Sequence, residues 1–161
     1  MRYVMREKIW SLRDNYVIRD EHEREAYQVL GKFFSLGDVL SFQDMAGNER
    51  LKIDQKLLSW GPTYEVLRDG APLAVVKKKL FTFLRCKFTV DVPGPDDLEA
   101  SGSFLEHEYA FERHGRTVAT VSKKWFSWSD TYGIDIASGE DDELILASAV
   151  VIDLVCHEEE H

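Results

Sequence analysis

The sequence predicts a mainly β protein: a closed antiparallel β-barrel of about ten to twelve short strands enclosing one hydrophobic C-terminal α-helix. Three observations carry the prediction. A template of residue types recurs three times along the chain, short β-branched and aromatic segments punctuated by Gly and Pro continue to about residue 137, and the apolar segment near the end has no polar face.

The template is led by tyrosine. Tyr16 is followed by Ala26 and Phe33, Tyr64 by Ala74 and Phe81, and Tyr109 by Ala119 and Phe126, at the same two offsets each time. Between tyrosine and alanine lies a polar stretch, RDEHERE, RDGAP or RHGRT. The last two hold Gly70 and Gly115 where a tight turn needs positive φ, so each unit reads as strand, turn, strand and an aromatic-rich continuation.

The strands fill the remainder. VMREKIWSL, VLSF, RLKIDQKLL, LAVVKKKLF, CKFTVDV and TVATVSKKW are rich in residues that suit a pleated sheet, and several alternate with period two. PGPDD, residues 93–97, is the clearest loop, and the repeat continues past it, so no domain boundary is placed there. The whole chain, 1–161, is expected to form one domain, with strands over about 1–137 and the helix over about 141–156.

The helix prediction rests on length, charge and composition. Asp141 to Cys156 would measure roughly 24 Å as an α-helix, short of the ~30 Å hydrocarbon core of a bilayer, so no transmembrane segment is expected. Asp141, Asp142 and Glu143 suit a helix N-terminus, where carboxylates meet exposed amides and the positive end of the dipole. From Leu144 to Val155 only Ser148 and Asp153 are polar, and a helix apolar all round is a buried helix. Asp153 is the misfit, expected near the barrel mouth with a hydrogen-bond partner, because a buried acid without one costs several kcal/mol.

Composition narrows function. A formal net charge of -9 disfavours non-specific attraction of the whole molecule to nucleic acid or anionic lipid, both themselves negative, so any anionic partner must meet a local patch. Cys86 and Cys156 have no CxxC spacing and read as buried thiols, and MRYVMREKIW lacks the continuous apolar stretch of a signal peptide. The expectation is a cytoplasmic monomer without cofactor.

The stretches GKFFSLGDVLSFQD (31–44), LLSWGPTYEV (57–66), VVKKKLFTFLRCKFTVDVPGPDD (75–97), VSKKWFSWSDTYGIDI (121–136) and LILASAVVIDLVCH (144–157) carry a resemblance over nearly the whole chain. Through them the chain resembles the LURP-one-related family, of the Tubby C-terminal-like group that includes phospholipid scramblases. The resemblance implies a twelve-stranded barrel around a central hydrophobic helix and no accepted catalytic motif. Tubby domains bind phosphoinositides through basic surface residues and scramblases have calcium-linked lipid activity, but fold alone transfers neither function.

The sharpest local charge anomaly is KKKLFTFLRCK, where Lys77, Lys78, Lys79, Arg85 and Lys87 occur without an acid. Lys123 and Lys124 stand at the matching positions of the third unit. Phe81 and Phe83, or Trp125, Phe126 and Trp128, follow directly, and lysines beside aromatics suit an interfacial lipid or phosphate site. The plainer account is solvated strand lysines guarding sheet edges. Strict alternation puts Lys77 and Lys79 on the same side as Phe81, so inward-pointing aromatics require a bulge or bend. HEEEH (157–161) satisfies the zincin pattern H-E-x-x-H but at a chain end without a third ligand, and is better read as a solvated acidic tail. EDDE (140–143) and PDD (95–97) match no EF-hand spacing and read as a helix cap and a loop. No nucleophile elbow, P-loop or dinucleotide fingerprint occurs.

The expected function is therefore a non-enzymatic binding module. It recognises anionic phospholipid headgroups through Lys77, Lys78, Lys79, Arg85, Lys87, Lys123 and Lys124, peripherally at the inner membrane face, or else serves as a scaffold for an acidic protein partner. An enzymatic reading would need clustered titratable groups near Asp130, Asp135 or Asp153.

Overall fold

The computed structural model describes residues 1–8, 15–34, 37–57, 61–82, 85–124 and 131–159, with side chains for all of these except 7, 8, 15, 32–34, 80–82, 85, 86 and 157–159. The strands are β1 (Arg2–Lys8), β2 (Asn15–Arg19), β3 (Glu25–Phe34), β4 (Gly37–Asp44), β5 (Glu49–Gln55) and β6 (Thr63–Arg68). They continue as β7 (Ala71–Thr82), β8 (Arg85–Asp91), β9 (Leu98–Ser103), β10 (Glu108–Arg113), β11 (Arg116–Ser122) and β12 (Thr131–Ile136). Each strand pairs antiparallel with its neighbours in sequence, and β1 closes the ring on β12 with Tyr3 opposite Ile134.

The tyrosine template is visible in the register. Tyr16 lies opposite Val29, Tyr64 opposite Val76 and Tyr109 opposite Val121, and all three tyrosines are buried. In each unit the register slips just after the second residue beyond the tyrosine, at Ile18/Arg19, Val66/Leu67 and Phe111/Glu112. A bulge adds local twist, and three bulges at equivalent places help curl the sheet until its edges meet. Each unit spans four strands, and the third is completed by β1, which follows β12 around the ring.

Hairpin turns follow from local chemistry. Asp69 and Gly70 have φ of 52° and 76°, and His114 and Gly115 have 51° and 75°, the two left-handed residues of a type I′ turn. Gly102 is required for a different reason: a Cβ there would lie 2.6 Å from the Glu108 carbonyl oxygen and 2.7 Å from Tyr109 Cα.

The helix α1 runs Asp142–Glu159, slightly beyond its expected end. No residue from Leu144 to Cys156 is more than 6% exposed, including Ser148, whose hydroxyl donates to the Leu144 carbonyl at 2.8 Å. Inward-facing residues of the wall, among them Met5, Leu40, Phe42, Ile53, Phe88 and Phe111, complete one core with it. A helix buried on every side of a closed barrel fills its lumen, which twelve strands leave too wide for wall side chains alone. Among the described residues no helix is long and apolar enough to cross a membrane.

Candidate functional site

Because the strands alternate in direction, the barrel has two chemically distinct ends. The connections β2–β3, β4–β5, β6–β7, β8–β9 and β10–β11 lie at the end where α1 begins, called here the amino end. The connections β5–β6 and β9–β10 lie at the carboxyl end, as do the termini of β7 and β11 that carry the basic residues.

At the amino end, arginines from the wall grip the acids that open the helix. Arg68 binds the Asp141 carboxylate through both Nη atoms, at 3.0 and 3.1 Å. Arg50 Nε donates to Glu143 at 2.9 Å, Arg113 Nη1 to Glu140 at 2.7 Å, and the Tyr3 hydroxyl to Asp142 at 2.7 Å. Asp141 also accepts from the Leu144 amide at 3.2 Å, the capping role expected of the acidic run. Burial, and then the hydrogen bond to Asp142, push the Tyr3 phenol above its ordinary range.

At the carboxyl end the chemistry is internal. Asp153, 2% exposed, accepts from the Tyr132 hydroxyl at 2.5 Å through Oδ2, and its Oδ1 lies 3.0 Å from His107 Nε2. The His107 ring stacks on Tyr132 with centroids 4.3 Å apart. Burial, and then the neighbouring Asp153, hold the phenols of both Tyr132 and Tyr109 well above the usual tyrosine range. The trio has the composition of an acid–base site, yet His107 is 7% exposed and Tyr132 2%, so solvent has little access to it. Asp153 therefore sits as expected, near the mouth and partnered. Asp135 lies on the outer wall beside Arg2 at 3.6 Å, and Asp130 falls outside the described residues.

The basic residues divide rather than converge. Lys77 and Lys79 lie on the outer wall, whereas Lys78 shares the inward side of β7 with Ala74 and Val76 and stands opposite buried Phe88. Lys77 pairs with Asp91 and Lys87 with Glu99, each at 3.3 Å. Lys79 lies across from Lys87 and is exposed. Lys123 and Lys124 follow β11, which three strand spacings of about 4.8 Å separate from β8. There the chain is fixed by the Lys123 amide donating to Glu108 and the Lys124 amide donating to the Ser122 hydroxyl. Among the described residues, no carboxylate pairs with Lys79, Lys123 or Lys124. Arg85 opens β8, but its side chain lies outside the description, as do those of Phe81, Phe83, Trp125, Phe126 and Trp128. In the backbone the register skips from Leu80 to Thr82, an irregularity of the kind that inward-pointing aromatics would need there.

The acidic motifs behave as loop and cap. Asp97 accepts from the Val92 amide at 2.8 Å and closes the PGPDD loop, and among the described residues no three His, Cys, Asp or Glu groups could hold a metal together. The HEEEH side chains lie outside the description, as does that of Cys86; Cys156 is a free, buried thiol. Sequence reasoning missed His107, which enters through an ordinary-looking turn, FLEHE, with a left-handed φ of 53°. It also missed Arg50, Arg68 and Arg113, whose partners lie far along the chain; the one available signal was an acidic helix start with no nearby cation.

Comparison with known proteins agrees with this architecture. The sequence model of a family described as LURP-one-related matches residues 1–153. An uncharacterized protein, YxjI, of Bacillus subtilis (strain 168) is 36% identical over 156 residues, covering 97% of this chain and 94% of that protein. The X-ray structure of protein AT5G01750 from Arabidopsis thaliana superposes with a TM-score of 0.68 at 20% identity, covering 96% of this chain and 91% of the other, a likeness of fold.

Proposed function

This chain belongs to the LURP-one-related family, and from that premise we propose that it is a non-enzymatic binding module for anionic phospholipid headgroups, working peripherally at the inner membrane face. The observation that carries the reading is three exposed or half-exposed lysines toward one end of the barrel, Lys79, Lys123 and Lys124, that pair with no carboxylate among the described residues, in a chain of net charge -9. Lys77, Lys78, Arg85 and Lys87, on β7 and β8, belong to the proposed site as lesser contributors, Lys77 and Lys87 because Asp91 and Glu99 already pair with them. A lysine close to an anionic leaflet contributes about 1 kcal/mol, and the attraction fades within a Debye length, so a few lysines give weak, salt-sensitive association. The buried Asp153 trio supports the non-enzymatic part, since a general base must reach a substrate proton.

Vesicle flotation tests it. Recovery is expected with phosphatidylserine-containing vesicles, to weaken as salt rises, and to fall on combined Lys79, Lys123 and Lys124→Ala substitution. Equal recovery on neutral and anionic vesicles, or none on either, would remove the lipid reading in favour of an acidic protein partner.

A further inference from the structure

We propose that the barrel docks end-on, carboxyl end toward the bilayer, with Leu57 and Leu105 as apolar tips that enter the headgroup layer; this rests on the lipid-binding reading above. Leu57 follows β5 and Leu105 lies in the β9–β10 turn, so strand direction places both at the same end. They are 54% and 60% exposed, the two most exposed large hydrophobics after which only Met1, Met45 and Leu30 remain among the described residues. An exposed leucine alone is ordinary, but two at one rim, together with lysines that no carboxylate among the described residues pairs with, form the pairing an interface rewards: apolar area for the acyl boundary and cations for the phosphates.

Charge distribution selects the same orientation. Lys79, Lys123 and Lys124 lie toward the carboxyl end, where Glu106 is the exposed acid among the described residues. At the amino end Arg50, Arg68 and Arg113 answer acids of the Glu140–Glu143 run, but Glu21, Glu23, Asp69, Asp96 and Asp97 are exposed in the turns, and Asp20 and Asp44 each close a hairpin by accepting backbone amides two and four residues on, so this end stays acidic beside Arg24 and Arg116. Facing an anionic leaflet, a molecule so polarised is turned with its acids away, within the reach of unscreened fields. Lateral docking through the β7–β8 wall is disfavoured, because Asp91 and Glu99 already occupy Lys77 and Lys87 there.

Met45, 45% exposed in the β4–β5 turn at the opposite end, provides the control. An environment-sensitive fluorophore is attached to the Leu57→Cys, Leu105→Cys or Met45→Cys variant, with identically treated wild type as the blank for its own thiols. On phosphatidylserine vesicles the probes at 57 and 105 should shift to the blue and brighten, and the probe at 45 should not change. The Leu57→Ser/Leu105→Ser variant should keep its melting temperature and bind vesicles at least about threefold more weakly, as expected for losing two partly buried leucines. Wild type that fails to bind anionic vesicles sinks the lipid reading and this one together. Binding that is salt-sensitive and lysine-dependent, but accompanied by a response at 45 or none at 57 and 105, overturns only the orientation.

Discussion

The two ends of the barrel hold the same helix by opposite means. At the amino end, Arg50, Arg68 and Arg113 meet Glu143, Asp141 and Glu140 nearer the surface, where water reaches at least one member of each pair; the Arg68 and Asp141 side chains are 35% and 37% exposed. At the carboxyl end, one carboxylate with a 3% exposed side chain holds Tyr132 and His107. Equivalent hydrogen bonds differ in consequence because a surface group that loses its partner regains water, and a buried one does not.

The largest effect expected from this contrast is at Asp153. Asp153→Ala should cost about 3–5 kcal/mol, roughly 1–3 for each buried group left without its acceptor plus the lost packing, read as a shifted urea midpoint. A cost no larger than that of breaking an amino-end pair would abolish the contrast.

Alkaline titration sharpens it. Tyr132 and Tyr109 have folded-state pKa values raised above the ordinary 10.0, so above about pH 10 the unfolded chain releases protons that the folded chain retains. Their contribution is complete below pH 10 and is lost as pH rises from there toward the folded values, by about 1.4 kcal/mol per pH unit for each tyrosine. Denaturation midpoints measured from pH 9 to 11.5 should fall, and Tyr132→Phe or Tyr109→Phe should flatten the slope; unchanged slopes would place these phenols in contact with water.

At the amino end, Arg68→Ala should cost about 0.5–1 kcal/mol and less in high salt, measured by the same denaturation series with and without 0.5 M NaCl. The smallest effect concerns the hairpin turns. Asp20–Arg24 and Asp44–Asn48 share one hydrogen-bond pattern, but Glu23, φ 62°, stands where the second turn has Gly47, φ 87°. Glu23→Gly should therefore be neutral or raise the melting temperature by a degree or two, a change of a few tenths of a kcal/mol.

Most of the architecture could be read in advance because the signals were local or periodic. Gly70 and Gly115 announced their turns, the tyrosine offsets announced repeated hairpins, and a thirteen-residue stretch with two polar positions, Leu144 to Cys156, had to be interior. The candidate site was far less legible. The clustering of Lys77, Lys78 and Lys79 is real in sequence, but alternation sends Lys78 inward, and acids on neighbouring strands, Asp91 and Glu99, pair with Lys77 and Lys87. Those acids are distant from the lysine run in sequence and adjacent only through strand pairing.

What the sequence determined by itself is the identity of the interior: burial preference belongs to each side chain, and its period specifies which surface of a strand or helix must leave water. What the tertiary structure alone decided is partnership. Arg68 with Asp141 and His107 with Asp153 both depend on closure of β1 onto β12 around the helix. An electrostatic or polar contact is short-ranged in space and indifferent to separation along the chain, so its partner is chosen only when the ring shuts.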